Sequence, residues 1–164
     1  MRSNRYFEVG SAILLLSLVW TNTAVAQKSS KYACSEPNPA QLCNADNSCG
    51  SPNTPCVVDV KRTSNASSST ASIEKPKANA LFCVKPGTKV TWKSTGKETG
   101  FVVDIGGPTS PFDPAGAIIG GSDREVSVTA KKPGCYKYSA GACVSGAVYG
   151  MCGTATAEVI VTGD

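Results

Sequence analysis

The chain has 164 residues, 16 Lys and Arg against 12 Asp and Glu, 16 Gly, 10 Pro, 8 Cys and no His. That length suits one domain of ordinary size. Without histidine there is no Ser-His-Asp triad, no Cys-His catalytic pair and no imidazole-ligated metal.

Residues 1–26 read as an export signal. Arg2 and Arg5 open it, the apolar run 12–20 is too short to span a bilayer, and Ala24-Val25-Ala26 makes a small-residue cleavage site before Gln27. No Cys follows that site to carry a lipid, and there is no twin-Arg pair, so a secreted or periplasmic chain exported unfolded is expected. In residues 27–164 the charges are scattered, with Lys61-Arg62 and Lys131-Lys132 the densest pairs. This predicts a solvated surface, no nucleic-acid patch and no membrane span after signal cleavage.

Residues 27–55 read as a cysteine-rich extension and 56–164 as the domain proper. Residues 27–32 are a polar leader, and 34–56 are rich in Asn, Pro, Ser and Gly, so they read as loop. Cys34, Cys43, Cys49, Cys56, Cys83, Cys135, Cys143 and Cys152 form an even set in an exported chain, which predicts disulfides. Spacing leaves their connectivity open; four within the first cluster and four in the rest is the working partition. The 34–56 segment is too poor in apolar residues to fold without staples. Structural zinc is not expected, because the first cluster contains no C-x2-4-C pair.

Residues 57–61 (VVDVK) predict a strand, and 63–72 (TSNASSSTAS), with the sequon Asn65-Ala66-Ser67, an exposed polar loop. Strands follow at 81–84, then after the Pro86-Gly87 turn at 89–93, where Val90 and Trp92 share a face. Others are predicted at 101–105, 125–129, 135–138 after Pro133-Gly134, and 157–161, where Ala157, Val159 and Val161 share a face. No window has a helical period. Six or seven short strands with Gly/Pro turns predict an all-β sandwich.

Three motifs in order resemble cupredoxins. They are Phe82-x-Val84-x-Pro86-Gly87-x-x-Val90-x-Trp92, Pro133-Gly134-x-Tyr136-x-Tyr138, and Gly150-Met151-x-Gly153 leading into 157–161. The match spans roughly residues 56–162 and implies a Greek-key β-sandwich. The family holds one copper through His, Cys, His and usually a weak Met, a geometry suited to Cu(I)/Cu(II) cycling. The first His would fall near Glu98-Thr99-Gly100, the Cys at Ser139 or Ala140, and the second His near Cys143; only Met151 stands where the family has a ligand. The resemblance therefore implies the fold without a type 1 copper site, and no cofactor is expected.

Met151 reads as a core or turn residue, and Cys143 and Cys152, if bridged, lock the loop around it. If reduced, Cys143, Met151 and Cys152 are soft donors suited to Cu(I), the alternative reading. Trp92, Tyr136 and Tyr138 read as core aromatics. Phe112, in the Pro-rich segment 108–114, either plugs the sandwich end or meets a partner. Asp104 and Asp113 are too scattered for calcium. No S-x-x-K stands at a strand-helix elbow, and Glu98 and Asp104 make no acid pair, so no catalytic residue is expected. These residues point to an exported, non-catalytic binding or structural module, meeting a protein or small ligand at the loop end of the sandwich.

Overall fold

The computed structural model describes residues 33–62, 69–74, 77–79, 81–96, 98–121, 124–144 and 154–163. The expected signal, residues 1–26, lies outside them, as does the sequon. Two short 3-10 helices, Ala33–Ser35 and Pro39–Leu42, precede the strands. These are β1 (Cys56–Arg62), β2 (Ser69–Glu74), β3 (Lys77–Asn79), β4 (Leu81–Val84), β5 (Lys89–Lys93), β6 (Thr99–Ile105), β7 (Phe112–Asp113), β8 (Ile118–Gly121), β9 (Val126–Ala130), β10 (Gly134–Val144) and β11 (Thr154–Val161).

One sheet runs β3-β2-β1-β5-β9-β7 and the other β4-β11-β10-β6-β8. The chain crosses between them at each step from β4 to β5, β5 to β6 and β9 to β10, giving an all-β sandwich of Greek-key type. Two pairings are parallel, β1 with β5 and β4 with β11. Strand alternation sets the core: Val58 and Val60, Val90 and Trp92, Phe101 and Val103, Ala140 and Ala142, and Val159 and Val161 are all buried between the sheets. Trp92 is its centre, edge-on to Tyr138 at 5.4 Å, Phe82 at 6.1 Å and Phe112 at 6.3 Å. Phe112 thus plugs the sandwich. Tyr136 is half-buried at its margin and donates through its hydroxyl to the Lys132 carbonyl at 3.1 Å.

Two expectations need correction. Residues 69–72, expected in a loop, lie in β2, with Lys61 opposite Thr70 and Asp59 opposite Ser72. A Ser/Thr run bears no apolar alternation, yet such residues sit readily on the polar face of a strand, and Ile73 supplies the buried anchor. The partition of the cysteines into two self-contained sets also fails. Only Cys49–Cys56 closes within the first cluster, whereas Cys34–Cys135 and Cys43–Cys83 tie that cluster to the sandwich.

The reason is where the extension lies. It runs along β4, the edge of the five-stranded sheet: the Cys83 N–H donates to the Asn47 carbonyl and the Cys49 N–H to the Cys83 carbonyl, each at 2.8 Å. An uncovered edge strand invites pairing with other chains, and here the extension fills that place. It also covers part of the sheet's outer face. Ala33, Cys83 and Ile160 form a second small core, joined by Leu42, Cys43, Leu81 and Cys135. Glu158, on the same face of β11, is buried and accepts the backbone N–H groups of Ala33 at 2.5 Å and Cys34 at 3.2 Å.

Candidate functional site

The end of the sandwich where β5 finishes, β6 begins and β10 finishes is the place to look for a site. Thr99 is buried at the start of β6, just after Glu98, whose φ of 54° marks the turn into the strand. From there β6 and β10 pair without interruption, Val103 opposite Ala140, Phe101 opposite Ala142 and Thr99 opposite Val144. The small Ala140 and Ala142 face large neighbours, the complementary packing expected of a filled core. Nearby on β5 and just after it, the Trp92 Nε1 and Ser94 Oγ atoms are buried without a hydrogen-bond partner among the described residues.

The carboxylates do not converge there. Asp59 is fully buried but fully engaged: Lys61 Nζ lies 2.8 Å away, and Thr95 donates from its backbone N–H at 3.2 Å and its hydroxyl at 3.0 Å. It anchors the turn after β5. Asp104 is exposed on the outer face of β6, and Asp113, in the other sheet, pairs with Lys131. Glu98 is exposed at the turn. Among the described residues no three His, Cys, Asp or Glu side chains gather to hold a metal.

Burial pushes the Tyr138 hydroxyl above the ordinary tyrosine range, which suits a core phenol and not a proton donor working near neutrality. At the opposite end an open cleft of about 280 Å³ is lined by Ser48, Cys49, Gly50, Cys83, Val84, Lys85 and Thr162. Its lining includes Lys85, the hydroxyl residues Ser48 and Thr162, and the disulfide-bonded Cys49 and Cys83.

Of the expected soft donors, Cys143 is described, and it is disulfide-bonded. Met151 and Cys152 lie outside the described residues. A disulfide sulfur offers no thiolate, so the Cu(I) arrangement concerns only a reduced form of the chain. Two buried carboxylates escaped sequence reasoning, Asp59 and Glu158. Asp59 interrupts an apolar run and Glu158 alternates with Ala157 and Val159, a pattern that by itself carries no sign of burial. Neither position carries a signal of the covering segment.

The motifs that carry the family resemblance fall on matching elements: the Phe82 to Trp92 stretch spans β4, its turn and β5, Gly134 to Tyr138 opens β10, and the last motif leads into β11 as the closing strand. The fold is an all-β sandwich whose strand motifs resemble those of cupredoxins. No protein-family model matches the sequence, and no curated protein matches it. Two solved structures are similar to this chain. An oxidised mutant of amicyanin shares 18% identity over 65% of this chain and 81% of its own, with a TM-score of 0.37. Reduced rusticyanin shares 17% identity over 73% of this chain and 86% of its own, with a TM-score of 0.43.

The residues present do not fit a type 1 copper ion. That centre takes two imidazoles and a thiolate. The chain has no histidine; Glu98, Thr99 and Gly100 stand where the resemblance places the first imidazole, and Ser139 or Ala140 where it places the thiolate. None of these residues supplies an imidazole nitrogen or a thiolate sulfur. Among the described residues no helix is long and apolar enough to cross a membrane.

Proposed function

We propose that this chain is an exported, disulfide-stabilised, non-catalytic binding or structural module, built on a cupredoxin-like scaffold without a type 1 copper site. The observation that carries the reading is the unbroken pairing of β6 with β10 past Ala140. It keeps Ala140 buried in the core at one of the two positions where the resemblance would place the thiolate. The buried aromatic cluster and fully engaged Asp59 support a rigid scaffold over a reactive one. The disulfides support a chain that matures in an oxidising compartment.

Titration of the oxidised chain with Cu(II) tests the reading. The expected outcome is no intense blue absorbance at any stoichiometry. Tight, stoichiometric Cu(II) binding with that absorbance overturns it. Alkylation of the denatured, unreduced chain supplies a second readout. No modified cysteine is expected; alkylation at Cys143 and Cys152 favours Cu(I) handling instead.

A further inference from the structure

The extension meets the rest of the chain through contacts indifferent to which copy supplies them. Asn47 and Cys49 pair with Cys83 on the β4 edge, Ala33 and Cys34 donate to Glu158 of β11, and Ala33 clusters with Ile160. Two bridges, Cys34–Cys135 and Cys43–Cys83, lock the same docking across 101 and 40 residues of sequence. Each contact joins the extension to a strand later in the chain, so each forms equally well with that strand of a second copy. Such an exchange keeps every one of these contacts, and only the connection between extension and sandwich decides against it.

That connection is residues 50–55. The chain leaves the β4 edge at Cys49 and enters β1 at Cys56. Between them Ser51 and Thr54 exchange backbone hydrogen bonds at 2.8 and 3.1 Å, and the Ser51 hydroxyl accepts the N–H groups of Asn53 and Thr54. Gly50 makes the bend with a φ of 71°, and a Cβ there would lie 2.8 Å from the Cys56 nitrogen. Opened out, the connection would let Cys49 stand about 23 Å from Cys56. The third bridge forbids this: Cys49–Cys56, only 7 residues apart in sequence, holds the two Cα atoms 5.1 Å apart.

We propose that the Cys49–Cys56 bridge is a clamp that keeps the extension on its own sandwich, and that without it two copies exchange extensions, each covering the β4 edge of the other. The occupant is a second copy of this chain, because the exchanged segment carries the cysteines, the N–H groups and the apolar residues that match β4, β10 and β11 here. In the exchanged dimer Cys34 and Cys43 of one copy join Cys135 and Cys83 of the other. The number of disulfides per chain equals that of a clamp-free monomer, so the exchange consumes no oxidant. A short flexible tether presents its end at about millimolar concentration, so exchange in the clamp-free chain sets in near ~1 mM. The clamp acts on assembly, whatever the module binds.

The test is oxidative refolding of the full chain. Cys49→Ala/Cys56→Ala, small and apolar at two buried positions, is compared with the parent and with Cys34→Ala/Cys135→Ala, which loses a longer staple but keeps the clamp. At about 1 mM the clamp variant should give at least about tenfold more covalent dimer than either, and at about 0.01 mM mostly monomer. When isotope-labelled and unlabelled chains are refolded together, its dimers should yield Cys34–Cys135 and Cys43–Cys83 peptides that pair one labelled chain with one unlabelled chain. No extra dimer, as much dimer from the Cys34→Ala/Cys135→Ala control, or dimers joined through other cysteines each overturns the proposal. If the clamp variant does not fold, the parent decides. Alkylation during its refolding at about 1 mM should trap covalent dimers whose Cys49 and Cys56 are alkylated. Dimers with that bridge closed, or monomers alone while Cys49 and Cys56 are still free, overturn the clamp.

Discussion

The Glu158 carboxylate on β11 accepts the backbone N–H of Ala33 at 2.5 Å, across a separation of 125 residues. A buried anion at the start of a helical turn, with Cys34 N–H as its second donor, fixes the entry point of the extension. Glu158→Ala leaves two N–H groups without an acceptor and should cost about 1–3 kcal/mol of unfolding free energy. Urea denaturation measures it, and a loss below about 0.5 kcal/mol contradicts the anchoring role.

The covered edge gives a second prediction. Cys43→Ser/Cys83→Ser frees the extension from β4 and should cost about 2–4 kcal/mol. It should also raise light scattering on mild warming, as the β4 edge becomes available to other chains. Unchanged scattering with lowered stability separates simple destabilisation from edge exposure.

Loop length ranks the staples. Cys34–Cys135 spans 101 residues and Cys49–Cys56 spans 7. Removing the first pair should lower the midpoint of thermal unfolding more than removing the second, because a longer closed loop restricts the unfolded chain more. Calorimetry of the two double-serine variants decides the order.

Gly120 lies under the ring of Phe101, which is opposite it in register. A Cβ at Gly120 would stand 2.6 Å from both Phe101 Cε1 and the Arg124 carbonyl oxygen. Gly120→Ala should therefore destabilise by about 1–3 kcal/mol through forced repacking. Phe101→Leu made alongside should recover part of that loss; full additivity of the two changes argues against a direct clash.

Tyr138 supplies a pH prediction. In the unfolded chain its phenol ionises near pH ~10, and burial raises that value in the native state. Above pH ~10 the native state holds a proton that the unfolded state has released, so this contribution is fully present below pH ~10 and falls as pH rises. In an alkaline titration part of the phenolate absorbance should appear only with unfolding. Tyr138→Phe should remove that delayed fraction; a delay that persists in the variant assigns it to another tyrosine.

The interior strands were legible from sequence because Val90-x-Trp92 and Val159-x-Val161 alternate over turns marked by Pro86-Gly87 and Pro133-Gly134. The peripheral strands were not. β8 is four residues ending in two glycines, and β7 is the Phe112-Asp113 pair inside a Pro-rich stretch; both exist because a longer neighbour offers hydrogen bonds. The disulfide map was beyond sequence because it follows the extension's path over β4 and Ile160, a tertiary fact. At the candidate site, the positions where the resemblance expects copper donors could be named from motifs.

The Cys34–Cys135 bridge joins residues that emerge from the ribosome far apart in time. The extension is made early, yet its resting place requires Glu158 and Ile160 of the last strand. Domains that fold as they are synthesised complete their early parts first; this one closes its beginning last. Cys34 must therefore stay unpaired, or be re-paired, until nearly all of the chain has been made, and joining neighbouring cysteines in order of appearance would trap it in the wrong map.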